Sequence, residues 1–217
     1  MNNEFSMELF EASPIIGIMR NLPAEHTAII AQNYFEAGLT NMEITMNSAG
    51  ATENISMLAK TYAGKLNIGA GTVCSMHDLE KALNANAQFI VTPILNKQVI
   101  KTCVSENIPV FPGAYTPSEI YKAWHWGATM VKVFPATDLG PGYIKEVLAP
   151  LNKIKLLPTG GIGLNNFKAY LSAGAKGVGV GSSLFPADII KNNDWAALKS
   201  LFVLFKETYI NYIKTQK

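Results

Sequence analysis

The stretch Gly127-Ala-Thr-Met-Val-Lys-Val-Phe-Pro135 combines a helix exit with a buried strand. Gly127 and Ala128 follow a helical run, at a point where a chain often needs a left-handed residue to leave the helix. The segment Thr129–Pro135 is apolar around a single charged residue, Lys132. A short apolar run of this kind, bounded by turn residues, predicts a strand buried inside the protein.

The same junction occurs at three other points, Gly38-Leu39, Asn86-Ala87 and Gly174-Ala175, each between a helical run and an apolar run. This internal repeat indicates strand–helix units that follow one another, which is typical of a parallel sheet. The predicted strands are Pro14–Met19, Asn41–Thr45, Asn67–Gly71, Gln88–Pro93, Pro109–Ala114, Thr129–Pro135, Lys155–Gly160 and Gly177–Gly181.

Amphipathic stretches with apolar residues three and four positions apart separate these strands and predict helices. They include Ala24–Ala37, Ala51–Tyr62, Met76–Asn84, Lys97–Glu106, Pro117–Trp124 and Leu164–Ala173. A longer amphipathic stretch, Asp194–Lys217, predicts a carboxy-terminal helix that packs against the wall of the sheet.

Eight such units in a chain of 217 residues predict a single α/β domain, 1–217, folded as a (β/α)8 TIM barrel. A doubly wound open sheet is the competing architecture. It is disfavoured because no Gly-x-Gly-x-x-Gly motif follows the first predicted strand.

Composition excludes several classes of function. The chain is 48% hydrophobic and 16% charged, with a net charge of +2 and no cluster of Lys or Arg, so neither nucleic acid nor an anionic membrane is expected as a partner. No run approaches the ~20 apolar residues of a membrane helix, and Met1–Phe10 lacks the basic start and apolar core of a secretory signal. Cys74 and Cys103 fit neither a metal spacing nor a disulfide framework, which favours free thiols in a cytoplasmic protein.

Two glycine-rich segments close the last two predicted strands, where the functional face of a barrel lies. They are Leu157-Pro-Thr-Gly-Gly-Ile162 and Val178-Gly-Val-Gly-Ser-Ser183. Glycines let the backbone approach a ligand and point successive N–H groups at it, so the pair predicts a phosphate cradle to which Thr159, Ser182 and Ser183 add hydroxyl donors. A nucleotide is not expected, because no Gly-Lys-Thr/Ser motif is present.

Only two charged residues lie well inside predicted strands, Glu43 and Lys132. Burial of an unpaired ammonium is so unfavourable that such a lysine is either paired or shifted toward its neutral form. A neutral amine is a nucleophile toward carbonyl groups, and a nearby carboxyl group can move the protons that imine formation requires. The pair therefore predicts imine-type cleavage of a carbon–carbon bond.

Two alternatives use the same residues, and a third would use a metal ion. Glu43 and Lys132 could form a structural ion pair in a phospho-ligand binding protein, or act as acid and base in a phosphate-barrel isomerase without a covalent step. A metal-assisted aldolase is disfavoured, because His26, His77 and His125 all fall in helical stretches.

Motifs along nearly the whole chain resemble those of the 2-keto-3-deoxy-6-phosphogluconate (KDPG) aldolases, also described as 4-hydroxy-2-oxoglutarate (KHG) aldolases. These motifs are Glu43-Ile-Thr, Gly69-Ala-Gly-Thr-Val73, Val91-Thr-Pro93, Phe111-Pro-Gly113, Val131-Lys-Val-Phe-Pro135, Pro158-Thr-Gly-Gly-Ile162 and Gly179-Val-Gly-Ser182. The resemblance implies a homotrimeric class I aldolase, without cofactor or metal, that acts on a small phosphorylated keto acid. Its expected products are pyruvate and glyceraldehyde 3-phosphate, or pyruvate and glyoxylate from 4-hydroxy-2-oxoglutarate.

The resemblance also assigns roles to residues. Lys132 would form the Schiff base, Glu43 would be the general acid and base, and Arg20 would pair with the substrate carboxylate. Thr72 and Pro93 would line the pyruvate pocket. The phosphate would be held by Thr159, Gly160, Gly161, Gly181, Ser182 and Ser183.

One position departs from the phosphogluconate enzymes. Many of them carry an arginine just after the Glu-x-Thr segment, where this chain has Asn47. Asn47 is closer to the related 2-keto-3-deoxy-6-phosphogalactonate aldolases, so it is a candidate substrate-binding residue that leaves the two epimeric substrates open.

Overall fold

A computed structural model describes residues 4–216 of the chain. Its strands are β1 (Ile15–Met19), β2 (Asn41–Thr45), β3 (Asn67–Gly71), β4 (Ile90–Val91), β5 (Val110–Phe111), β6 (Gly113–Ala114), β7 (Val131–Val133), β8 (Leu156–Pro158) and β9 (Val178–Val180). Its helices are α1 (Met7–Ala12), α2 (Thr27–Glu36), α3 (Ala51–Thr61), α4 (Met76–Asn84), α5 (Lys97–Ser105), α6 (Pro117–His125), α7 (Gly140–Leu148), α8 (Phe167–Ser172), α9 (Ala187–Lys191) and α10 (Trp195–Lys214), with a short 3-10 helix at Ala24–His26.

All strand pairs are parallel, and they form two sheets. Six strands follow the order β5-β4-β3-β2-β1-β9, and three follow the order β6-β7-β8. The α/β class and a curled parallel sheet are therefore confirmed. The expected closed ring of eight strands is wrong as a description of the hydrogen-bonded ladder, which is an open half-barrel.

Pro112 is the physical reason for one break in that ladder. Proline has no N–H to donate to a neighbouring strand, so the predicted strand Pro109–Ala114 is divided into β5, which pairs with β4, and β6, which pairs with β7. At the other end of the three-stranded sheet, a single parallel bridge joins Thr159 to Gly179.

Helix α1 covers the amino-terminal ends of the strands. Ser6 caps it by accepting a hydrogen bond from the N–H of Leu9. Phe10 on this helix stacks on Phe111 at 6.3 Å between ring centroids, and Phe5 meets Phe89 edge-on at 5.6 Å. These rings fill the space enclosed by the curved sheet, so the polar residues at the carboxyl ends of the strands stand above an apolar floor.

Two buried asparagines fasten this cover to the sheet. Asn67 Nδ2 donates to Asn41 Oδ1 and to the carbonyl of Ser6, both at 2.8 Å. Asn41 Nδ2 donates to the carbonyl of Ser13 at 2.7 Å. Because buried amides without partners are destabilising, this network fixes the position of the amino-terminal segment.

The carboxy-terminal helix α10 packs along α2 and reaches the amino-terminal segment. Phe202 and Phe205 lie on the buried face of this helix. Lys206 Nζ donates to the carbonyl of Ala12 at 2.7 Å. This helix is confirmed over Trp195–Lys214; residues 1–3 and 217, which also entered the sequence predictions, lie outside the described residues. Within residues 4–216, no helix is both long enough and apolar enough to cross a bilayer.

Candidate active site

Lys132 is the central residue of β7 and is only 2% exposed. Its register partners are Gly113 on β6 and Leu157 on β8, and its N–H donates to the carbonyl of Pro112 at 2.9 Å. Its Nζ lies 4.7 Å from the ring centroid of Phe134. The backbone thus holds the lysine firmly while its amine faces an aromatic ring.

Burial lowers the pKa of the Lys132 amine below its ordinary value. The Glu43 carboxylate opposes this shift, while the positive charge of Arg20 adds to it. Burial also raises the pKa of Glu43, against the opposing effects of Lys132 and Arg20. The two buried groups are therefore biased toward a neutral amine and a protonated carboxyl, which are the forms that attack a carbonyl and donate a proton.

Glu43 stands on β2, 1% exposed, and its Oε1 has no hydrogen-bond partner within the described chain. Space for the carboxylate comes from Gly71 on β3, because a Cβ at that position would lie 1.7 Å from Oε1. Gly69 makes room in the same way for the ring of Phe89, at 2.4 Å. Both glycines of the Gly69–Val73 motif are thus explained by side chains that occupy their place.

Glu43 and Lys132 do not form an ion pair. In the part of the chain that the structure describes, the one salt bridge joins Lys199 and Glu36 on the surface. The two buried groups influence each other only through their charges, which speaks against a purely structural salt bridge.

A cavity of about 420 Å³ opens at the carboxyl ends of β1, β8 and β9. Seven predicted residues line it: Arg20, Thr159, Gly160, Gly161, Gly181, Ser182 and Ser183. Phe134 also lines it, and this ring carries the Lys132 amine on its face. The glycine-rich loops and the surroundings of the lysine therefore belong to one region of the molecule.

The geometry of the two loops suits an anion. Gly160 and Gly161 have φ values of 102° and 69°, which only glycine adopts readily. In residues 4–216, the backbone N–H groups of Gly161, Ser182 and Ser183 donate to no other backbone group. Free N–H donors on loops of this kind are the usual ligands of phosphate.

Five predicted residues do not line this cavity. Two of them, Lys132 and Glu43, are buried within β7 and β2; the other three are binding candidates in loops. Thr72, at φ 58°, follows β3, and Pro93 follows β4, both half-buried. Asn47 is exposed after β2. The structure places all three in loops after strands, on the same face as the cavity but outside its wall.

The sequence predictions missed several cavity residues, of which Asn21 is the most polar. It follows Arg20 with a left-handed φ of 52°, and its N–H donates to Ser48 Oγ at 2.9 Å. An asparagine just beyond a strand end was the available signal. The other missed residues are Ile18, Leu22, Phe134, Ile162, Gly179, Phe185 and Ala187.

The histidines lie away from the cavity. His26 meets the ring of Trp195 edge-on at 5.0 Å, and His125 stacks on Tyr121 at 6.1 Å. His77 is exposed on α4. Across the described ranges, no three metal-ligating side chains come together.

Comparisons with known proteins identify the family of the chain. The family model described as "Aldolase: KDPG and KHG aldolase" matches residues 7–201. The chain is 33% identical to the 2-dehydro-3-deoxy-6-phosphogalactonate aldolase of Escherichia coli (strain K12), over 80% of this chain and 85% of that protein. It is 32% identical to the 2-dehydro-3-deoxy-phosphogluconate aldolase of Treponema pallidum (strain Nichols), over 90% and 92% of the two chains.

A crystal structure of KDPG aldolase from Legionella pneumophila, with pyruvate captured at low pH as a covalent carbinolamine intermediate, superposes with a TM-score of 0.83. The two sequences are 28% identical, and the match covers 90% of this chain and 95% of that one. The chain belongs to the family of KDPG and KHG aldolases, which are carbon–carbon lyases.

Proposed function

We propose that this aldolase cleaves 2-keto-3-deoxy-6-phosphogluconate into pyruvate and glyceraldehyde 3-phosphate through a Schiff base on Lys132. The observation that carries the proposal is the buried amine of Lys132, whose pKa is lowered by burial and which has Glu43 nearby without direct contact. A structural role would not require a neutral amine next to an unpartnered carboxyl group.

The chemistry follows from the two protonation states. The neutral amine of Lys132 adds to the C2 carbonyl and gives a carbinolamine, and Glu43 donates the proton with which water leaves. The resulting iminium draws electrons from the C3–C4 bond. Loss of the C4 hydroxyl proton to the base then breaks that bond, releases the aldehyde and leaves an enamine. Protonation at C3 and hydrolysis return the free lysine and pyruvate.

The phosphate end and the pyruvate end of the substrate are assigned to different residues. The glycine-rich loops with Ser182 and Ser183 hold the phosphate, while Arg20 pairs with the substrate carboxylate. Thr72 and Pro93 line the pyruvate end. The cavity that Arg20 shares with the loops supports the first part. The position of Pro93 against Gly113, the register partner of Lys132, supports the second.

The epimeric substrate is a second candidate, because overall similarity favours neither. Relatives named for the galactonate and the gluconate substrates are 33% and 32% identical to the chain. Asn47 is the residue that points toward the galactonate epimer. Comparison of kcat/KM for the two epimers, together with unphosphorylated 4-hydroxy-2-oxoglutarate, decides between these substrates.

The wider organisation is proposed on the same basis. Residues 1–217 act as one aldolase domain, and the two sheets complete a (β/α)8 barrel through Pro112 and the Thr159–Gly179 bridge. The homotrimer is proposed from the family resemblance alone, and light scattering can measure it. The free thiols support a cytoplasmic location.

Borohydride reduction in the presence of pyruvate tests the covalent step. It should attach a three-carbon acid to the peptide that contains Lys132, with loss of activity. Lys132→Met should give no adduct, whereas Lys155→Met, which removes an exposed lysine next to β8, should be labelled as the unmodified protein is. Labelling at another lysine, or activity that survives the treatment, would indicate a different mechanism such as non-covalent isomerisation.

A further inference from the structure

The break at Pro112 leaves a neighbouring backbone donor without its usual partner. Gly113 follows the proline, and its N–H is not bonded to the backbone of β4. It donates instead to the side-chain Oγ1 of Thr92 at 3.3 Å. The side chain of Thr92 thus replaces a ladder hydrogen bond where β5 gives way to β6.

Thr92 is fully buried, and its hydroxyl both accepts and donates a hydrogen bond. While Oγ1 accepts from Gly113, its proton is donated to the carbonyl of Ile94 at 2.5 Å. The N–H of Thr92 also donates to the carbonyl of Phe111 at 3.3 Å. One threonine therefore ties the loop after β4 to both halves of the divided strand.

The two groups that Thr92 joins lie beside the proposed chemistry. Gly113 is the register partner of Lys132. It also lies directly against Pro93, because a Cβ at residue 113 would be 2.5 Å from the carbonyl carbon and oxygen of that proline. The Thr92 hydroxyl therefore sets the spacing between Pro93 and β6, the strand that pairs with the lysine strand β7.

We propose that Thr92 is a positioning residue of the lyase site. Its hydroxyl holds Pro93 against β6, and β6 in turn pairs with the Lys132 strand, at the separation that imine formation requires. This inference rests on the proposed function, because it concerns the geometry around the same lysine. Thr92 acts through Pro93 and Gly113 and does not itself touch the substrate.

The chain offers a matched control at the opposite end of the same strands. Thr129 Oγ1 accepts a hydrogen bond from the N–H of Val110 at 3.1 Å. Here too, a threonine hydroxyl accepts from a backbone N–H of the divided strand. Thr129 lies two residues before the start of β7, on the side away from the loops that follow the strands. Thr129→Val removes an equivalent bond and leaves the site untouched.

The experiment compares Thr92→Val, Thr92→Ser and Thr129→Val with the unmodified protein. The rate of borohydride trapping at saturating pyruvate should fall about 10- to 100-fold in Thr92→Val, as expected for misplaced reacting groups. Thr92→Ser keeps the hydroxyl and should restore the rate to within about threefold. Thr129→Val should trap pyruvate at the unmodified rate even if its melting temperature falls as much as that of Thr92→Val.

Hydrogen exchange at the Gly113 amide gives a readout that does not depend on activity. Exchange should accelerate about tenfold or more in Thr92→Val and stay slow in Thr129→Val, since only the first loses the acceptor of this amide. Unchanged exchange at Gly113, or equal slowing of trapping by Thr129→Val, would overturn the role of Thr92. Absence of any pyruvate adduct on the unmodified protein would instead refute the proposed function.

Discussion

Gly71→Ala tests how closely the Glu43 carboxylate must be held. A Cβ at residue 71 would lie 1.7 Å from Glu43 Oε1, 2.4 Å from its Cδ and 2.7 Å from its Cγ. Ordinary contact begins at 3.4 Å, so the carboxylate oxygen must retreat by about 1.7 Å or the two strands must separate. Because β2 and β3 pair along their full length, the side chain of Glu43 is the part that moves.

The size of the effect follows from this displacement. A misplacement of about 1 Å in a reacting group costs on the order of 100-fold in rate, so kcat of Gly71→Ala should fall at least ~100-fold. Overpacking should also lower the free energy of unfolding by about 1–3 kcal/mol. The assay couples pyruvate release to NADH oxidation by lactate dehydrogenase, below the melting temperature of the variant.

Gly142→Ala is the matched control. A Cβ at this position, in helix α7, meets nothing within 4 Å. Its activity should be unchanged and its stability equal or slightly higher, because alanine favours a helix over glycine. If folded Gly71→Ala kept the kcat of the unmodified protein, the position of the Glu43 carboxylate would not matter and the proposed proton transfer would be refuted.

Three further predictions concern the buried lysine and the residues proposed to bind the substrate anions. The pKa of Lys132 is lower in the folded protein than its ordinary value of 10.5, so between these two values the unfolded chain binds more protons than the folded one. The contribution of this group to the free energy of unfolding should therefore rise with pH across that window. Urea unfolding at several pH values should show a steeper rise in this free energy for the unmodified protein than for Lys132→Met. Parallel pH dependence in the two proteins would contradict the burial of a neutral amine. Arg20→Gln should raise KM about 10- to 100-fold for phosphorylated substrate and for 4-hydroxy-2-oxoglutarate alike, since both carry the carboxylate and charged hydrogen bonds contribute ~1.5–3 kcal/mol. Ser183→Ala should raise KM only for the phosphorylated substrate, and a rise confined to that substrate in Arg20→Gln would move the arginine to the phosphate.

The local sequence pattern was sufficient to predict helices of several turns and strands with a clear apolar run. Strands β2 and β3 and helix α4 have the predicted ends, because their boundary residues are polar or helix-capping. Helix α1 was missed because six residues are too few to show a helical period, and its stability comes from packing on the aromatic floor. Helix α7 was missed because Gly140-Pro-Gly142 looks like a turn, although proline is favoured in a first helical turn.

The residues of the candidate site also fall into those that the sequence could predict and those that it could not. A charged residue inside an apolar strand and glycines at strand ends are visible locally, which is why Lys132 and the residues of the phosphate cradle were named. The partners of a side chain across the sheet are not visible, since they depend on register between distant segments. Asn21 in the cavity wall and Gly71 under the Glu43 carboxylate belong to this second group.

By itself, the sequence determined the α/β class, the buried amine and carboxyl, and the glycine-rich anion loops, because each of these is written in the character of contiguous residues. Only the tertiary structure decided that the strand is divided at Pro112 and that Thr92 replaces the lost backbone bond. It also decided that the buried Glu43 and Lys132 form no salt bridge. Those features depend on distances between residues far apart in the chain, which hydrogen-bond register and packing set together.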